Sequence, residues 1–312
     1  MISLKQIQHA LAVEKTLHFK KAAEQCAISQ SALSTSLAEM EKQLGYQVFE
    51  RSNKQVLVTP IGRQMLAKAR EIRLLVEDVH KLVEQERAPL SGRLSIGMIP
   101  TVGPYLLPIL LPALESDYPD LRLEVEEAQS DELLELLRKG ELDTAILALP
   151  YEHEGLLAFK FWQEDFYWVT HAEDELADKP VIQSQELEPT DLMLLKEGHC
   201  LKEHALAACR FPAAASHGLQ ATSLLTLVQM VAGRMGSTLV PEMALEQLVA
   251  HNPALVAIPL SEPGPHRELA FLVRPNYPGV SNIELLRDRL RQALAAAIRG
   301  RRAPLTGTPK PE

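Results

Sequence analysis

Two cysteines, Cys200 and Cys209, stand nine positions apart in the segment Gly198-His199-Cys200-Leu201-Lys202-Glu203-His204-Ala205-Leu206-Ala207-Ala208-Cys209. A cysteine acts as a nucleophile only as the thiolate, and neighbouring positive charge lowers its pKa. Cys200 has His199 and Lys202 close by in sequence for that purpose. The same segment admits two other readings. His199, Cys200, His204 and Cys209 offer four soft metal ligands, but their spacing is not that of a structural zinc site, and adjacent His-Cys ligands fit a tetrahedron poorly. Alternatively the two thiols are small buried hydrophobes that never meet, which is also the expected fate of Cys26.

The rest of the chain bounds what such a segment can serve. Three cysteines in 312 residues are too few for a disulfide scaffold, so any disulfide here is a signal and not a staple. No apolar run approaches the ~18 residues that read as a membrane span, and the opening MISLKQIQHA carries no secretory core. The expected location is therefore the cytoplasm, with no membrane partner. With 46% hydrophobic and 23% charged residues the chain can build two or three globular domains, which excludes a disordered or fibrous protein. The net charge of −9 hides an asymmetry. Residues 1–92 hold 13 Lys and Arg against 10 Asp and Glu, whereas residues 93–312 hold 19 against 31. A mildly basic head on an acidic body assigns any contact with nucleic acid to the head.

The head reads as short helices and a hairpin. Leu4, Ile7, Ala10, Leu11 and Val13 recur at helical spacing, a second helix runs through Lys20–Cys26, and Ser29 is a good N-cap for a third. In that third helix Leu33, Leu37, Met40 and Leu44 share one face before Gly45 ends it, which leaves Gln30, Ser31, Ser34 and Thr35 facing outward. Val48–Arg51 and Val56–Thr59 form a β-hairpin with Arg51 and Lys54 near its tip. This is the outline of a winged helix-turn-helix over residues 1–60. From Pro60 to about Arg87 runs one long amphipathic helix with Met65, Ala69, Ile72, Val76, Val79 and Val83 on one stripe, suited to pairing with its own copy.

Residues 61–92 then form a linker helix and hinge, and residues 93–300 alternate strands and helices as two α/β lobes. Strands are expected at Leu94–Met98, Leu121–Val125, Thr144–Leu149, Phe166–Thr170, Leu192–Leu195, Ser237–Val240, Leu255–Pro259 and Leu269–Val273. One helix is expected over Pro241–Val249. The tail 301–312 reads as disordered. Because ligands of open α/β sheets sit beyond the carboxyl ends of strands, Pro100-Thr101-Val102-Gly103 and Ser130 are cleft candidates.

The stretch FKKAAEQCAISQSALSTSLAEMEKQLGYQVFERSNKQVLVTPIGRQML resembles the DNA-binding head of LysR-type transcriptional regulators. IPTVGPYLLP, EEAQS, the cysteine segment and ATSLLTLVQMVA resemble the hydrogen peroxide-sensing OxyR subfamily of that family. The resemblance implies an α/β fold: a winged helix-turn-helix and linker helix followed by a two-lobed regulatory domain like a periplasmic binding protein. It implies that Gln30, Ser31, Ser34 and Thr35 reach base edges and phosphates of double-stranded promoter DNA, with Arg51 and Lys54 on the backbone. It further implies self-association as a dimer of dimers and RNA polymerase as a partner.

For the sensor, the resemblance implies that Cys200 attacks hydrogen peroxide and then bonds Cys209, with Thr101, Ser130, Gly198, His199, Lys202 and Arg267 around the peroxide and Arg267 adding positive charge beside Cys200. No cofactor and no metal are expected, peroxide being signal and reactant. Nor is enzymatic turnover expected, since one oxidation per molecule throws a switch and no thioredoxin-like motif accompanies the cysteines. Lys202–Ala208 is rich in helix formers, and nine helical steps of ~1.5 Å separate the two Cα atoms by about 13 Å against the roughly 4–7 Å of a disulfide. Bonding therefore demands local refolding. His204, Glu203 and Ser130 depart from the residues common in that subfamily. The other reading of the resemblance is a regulator answering to a small metabolite in the inter-lobe cleft.

Overall fold

The computed structural model describes residues 1–51, 55–85, 88–212 and 219–302, which divide into two compact units, Met1–Val83 and the chain from Glu84 onward. In the first unit Ser3 opens α1 (Leu4–Thr16) with a capping box completed by Gln6. After α2 (Phe19–Gln25) the chain turns through Ala27, whose φ of 53° is left-handed. It then enters α3 (Gln30–Leu44), where the Ser29 hydroxyl accepts from the Ala32 N–H and Gly45 closes the helix. The hairpin β1 (Phe49–Arg51) and β2 (Val56–Val58) pairs Phe49 with Val58. Leu33, Leu37 and Met40 of α3 are buried with Val13, Ala22, Val48 and Leu66, so the apolar stripe of α3 is spent on this core. The opposite face carries Gln30, Ser31 and Thr35, all exposed.

Pro60, without an N–H to waste, begins the long α4 (Pro60–Gln85). Along it Ile72, Leu75, Val79, Leu82 and Val83 are more than a third exposed in the single chain.

The second unit holds two sheets. The larger has the order β4-β3-β5-β12-β6, with β3 (Gly92–Met98) parallel to β4 (Leu121–Glu127) and to β5 (Thr144–Leu149). β12 (Arg267–Val273) runs antiparallel between β5 and β6 (Leu157–Glu164). Helices α5 (Gly103–Asp117) and α6 (Ser130–Lys139) connect its first strands. The smaller sheet is β10-β7-β11, built from β7 (Phe166–His171), β10 (Thr238–Pro241) and β11 (Leu255–Pro259). Beside it lie the short parallel pair β8 (Leu194–Leu195) and β9 (Gln220–Ala221), α7 (Cys200–Ala208) and α8 (Leu224–Ala232). A final helix, α10, runs Val280–Arg302 after the short α9 (Leu245–Leu248).

The chain crosses between the sheets at Asp165, the single residue between β6 and β7, and returns through the residues before Arg267. Two sequence expectations change here. β6 is a strand that the pattern did not announce, and Pro241–Val249 is not one helix. Pro241 ends β10, and a 3-10 turn Glu242–Ala244 precedes the four residues of α9.

Candidate functional site

Gly198 sets the start of α7. Its φ of +92° lies in the left-handed region that favours glycine, and a Cβ there would also stand 2.2 Å from Gln129 Oε1 and displace that side chain. His199 follows in extended conformation as N-cap, and Cys200 is the first helical residue. Cys209 is the C-cap at the far end, its N–H bonded back to the Ala205 carbonyl. Both cysteines are free thiols and both are buried. With the whole of α7 between them, their Cα atoms are about 13 Å apart.

Residues from three other elements face Cys200, and Thr101 joins them through Arg267. Ser130 opens α6, Ala148 lies in β5, Arg267 opens β12, and Thr101 precedes α5. Arg267 is wholly buried and pairs with Glu164, equally buried, at 2.7 Å through Nη2, with Nε donating at 2.8 Å. Its Nη1 donates to Thr101 Oγ1 at 3.3 Å and its Nη2 to the Thr101 carbonyl at 3.2 Å, while the guanidinium lies over the Phe166 ring. The second carboxylate oxygen of Glu164 accepts the Met243 N–H at 2.9 Å.

Burial pushes the Cys200 thiol pKa up, against three neighbours that favour the thiolate: the Ser130 hydroxyl, the Arg267 charge and the Ala148 backbone. Glu203 works with burial. Ser130 Oγ is itself buried and meets no hydrogen-bond partner of regular geometry among the described residues, yet it faces the thiol closely enough to favour ionisation. Cys209 has no such help. Burial, with Glu262 adding to it, pushes its pKa up to about 12. Burial raises the pKa of both, yet the two thiols are unequal in surroundings: Cys200 faces three groups that favour its anion, and Cys209 faces none.

The sequence placed His199 and Lys202 beside Cys200 as sources of positive charge, and the resemblance added Arg267 to them. In the structure His199 is buried, burial lowers its pKa, and Gln129 Nε2 lies 3.4 Å from its Nε2, so it is neutral at neutral pH. Lys202 points to Glu197 at 3.3 Å. Arg267, 67 positions downstream, is the cation that favours the Cys200 thiolate. His204 is buried too, with Nε2 2.9 Å from the Pro150 carbonyl. Among the described residues no group of three or more His, Cys, Asp or Glu side chains is placed to hold a metal ion. Glu164, Ala148 and Pro150 join the site with no signal in the sequence; a lone Glu at a strand end has nothing to mark it as the buried partner of an Arg.

In the first unit Gln30, Ser31 and Thr35 are exposed and Ser34 half-buried, on one side of α3. Arg51 ends β1, but its side chain and the whole of Lys54 lie outside the described residues. No described helix is long and apolar enough to cross a membrane.

The Arg267–Glu164 pair generates a stability prediction. Glu164→Ala leaves a guanidinium buried without its counter-charge and should cost about 3–5 kcal/mol in urea unfolding, most of it regained in the Glu164→Ala/Arg267→Met double variant. A single-variant loss below ~1 kcal/mol would show that the pair is dispensable.

Comparison with known proteins matches residues 4–63 to the bacterial regulatory helix-turn-helix protein model of the lysR family and residues 87–295 to the LysR substrate binding domain. The HTH-type transcriptional regulator EstR of Acinetobacter baylyi is 36% identical over 298 residues, covering 94% of this chain and 97% of that protein. A probable hydrogen peroxide-inducible genes activator of Streptomyces viridosporus is 37% identical over 299 residues, 94% of each chain. Among solved structures, a full-length variant of OxyR from Pseudomonas aeruginosa superposes with a TM-score of 0.78 at 32% identity, covering 93% of this chain and 95% of that one.

Proposed function

The chain belongs to the LysR family of helix-turn-helix transcription regulators, and on that premise we propose that it is a hydrogen peroxide-responsive member whose switch is the Cys200–Cys209 pair. The observation that carries this reading is the inequality of the two thiols, held at opposite ends of one buried helix. Relatives that bear the name of peroxide-inducible activators along nearly their full length support it.

The Cys200 thiolate attacks one peroxide oxygen: the S–O bond forms, the O–O bond breaks, and the departing hydroxide takes a proton to become water, leaving a sulfenic acid. The Thr101 and Ser130 hydroxyls hold peroxide and water, and Gly198, His199, Lys202 and Arg267 close the pocket. The Cys209 sulfur then attacks the Cys200 sulfur, its proton leaves with the sulfenic hydroxyl as water, and a disulfide results. No cofactor enters, because peroxide is the oxidant. A high pKa suits Cys209 to waiting: it stays a thiol until α7 opens and brings it to the sulfenic acid.

The output is made on DNA. Gln30, Ser31, Ser34 and Thr35 read base edges and phosphates of a promoter in the major groove, and Arg51 and Lys54 contact the backbone. In this reading residues 1–60 are the DNA-binding domain, 61–92 the dimerising linker and 93–300 the sensor. The exposed apolar stripe of α4 supports pairing with a second copy, and the family supports a dimer of dimers acting on RNA polymerase in the cytoplasm.

Two outcomes follow. Gln30→Ala or Ser34→Ala should each weaken binding to the cognate promoter by ~1–3 kcal/mol, whereas Lys54→Ala should weaken it on cognate and unrelated DNA alike; unchanged affinity in all three would misplace the recognition helix. Cys200→Ser should abolish peroxide-dependent transcription while DNA binding persists, and Ser130→Ala should slow sulfenic acid formation by about an order of magnitude. A Cys200→Ser protein that still activates on peroxide would favour the small-metabolite reading.

A further inference from the structure

Between Cys200 and Cys209 lies a histidine that the peroxide chemistry does not use. His204 is 3% exposed, and its Nε2 lies 2.9 Å from the Pro150 carbonyl. A carbonyl oxygen can only accept, so the proton sits on Nε2 and Nδ1 carries the lone pair. Nδ1 is buried and has no hydrogen-bond partner among the described residues. The imidazole is thus locked in one neutral tautomer, with a second proton unwelcome.

Its position gives the contact a role. Cys200 and His204 are four residues apart on α7, a rise of about 6 Å on one helix face. Their partners Ala148 and Pro150 are two residues apart, Ala148 in β5 and Pro150 just after its last residue. The first turn of α7 is thus fastened at two points to one short stretch of chain, the Cys200 sulfur at Ala148 and the His204 ring at Pro150. Peroxide chemistry alters the first point. The second lies inside the loop that a Cys200–Cys209 bond would close.

We propose that His204 is a positioning residue that latches the first turn of α7 to Pro150, and that release of this latch is a required, acid-assisted step between sulfenic acid and disulfide. The inference rests on the peroxide-switch reading of the same site and adds to it what holds the helix shut. The groups facing the imidazole are Arg267 of β12 and, on its own helix, Glu203; burial and Arg267 lower its pKa, against the Pro150 contact and Glu203. The sign follows. With α7 closed the ring resists protonation, and with α7 open it reaches water and regains a pKa near 6.5. The closed helix therefore keeps its full stability above about pH 6.5 and loses it as pH falls below, by up to tenfold in the opening equilibrium per pH unit.

The test uses the full-length protein with wild type, His204→Leu and His204→Gln. Glutamine places an amide donor where Nε2 stood but cannot titrate. Amide exchange of the reduced forms, corrected for intrinsic rates, should be roughly fivefold faster across Leu201–Ala208 in His204→Leu than in wild type at pH 7.5, with His204→Gln near wild type. Lowering the pH to 5.5 should open the wild-type helix severalfold, up to about tenfold, and leave His204→Gln unmoved. After peroxide, quenched alkylation and mass analysis should show faster conversion of sulfenic acid to disulfide in His204→Leu. Wild-type protection in His204→Leu, equal pH responses of wild type and His204→Gln, or unchanged disulfide closure would each overturn the latch. If wild type forms no sulfenic acid at all, the peroxide reading fails, while exchange in the reduced forms still decides for or against the latch.

Discussion

Arg267 and Glu164 meet where water is excluded, at the two points where the chain passes between the sheets of the regulatory body. Neither charge could stay there alone. Paired, they organise the site: the guanidinium holds both the hydroxyl and the carbonyl of Thr101, and the carboxylate holds the Met243 backbone beyond β10. The same guanidinium favours the Cys200 anion. A buried ion pair is a poor source of net stability, because desolvation offsets most of the attraction. Its value here is to fix geometry, and to keep a permanent cation beside a sulfur whose ionisation burial opposes.

The second constraint is the length of α7. A helix is a rigid spacer, and one of nine residues keeps its ends too far apart for a disulfide. In the proposed switch this spacing guards the reduced form against accidental closure and couples closure to a structural change. Local refolding of a short, helix-rich segment is an all-or-none event of the kind that can bias larger lobes or subunits between two states. Gly198 and His204 bracket the first turn, one by its left-handed backbone and the other by its bond to Pro150.

Much of this was legible from residue pattern. Thr144–Leu149 and Leu255–Pro259 were visible as apolar runs because they are strands packed in the body, and α3 because Leu33, Leu37 and Met40 keep helical spacing between Ser29 and Gly45. β6 escaped because it lies at the sheet edge with only two of its eight residues buried, so LAFKFWQE neither alternates cleanly nor runs apolar. Pro241–Val249 misled for the opposite reason: its residues suit a helix, but Pro241 is committed to β10, and the chain turns before a full helix can form.

At the site, sequence proximity suggested His199 and Lys202 as the charge beside Cys200. The cation that favours the thiolate is Arg267 of β12, which the family resemblance named and which neighbours in sequence could not report, because tertiary packing brings it there. The α/β class, the winged head and the two lobes were all expected, and they stand in the structure and in the family match.

The central claim is that Cys200 and Cys209 cannot bond while α7 is a helix. It is tested most directly by treating the reduced protein with stoichiometric hydrogen peroxide, mapping the disulfide by mass, and following amide exchange over Lys202–Ala208 in the same sample. The account predicts a Cys200–Cys209 bond together with loss of the helical protection pattern across that segment. A mapped Cys200–Cys209 disulfide with α7 protected as in the reduced protein would contradict it.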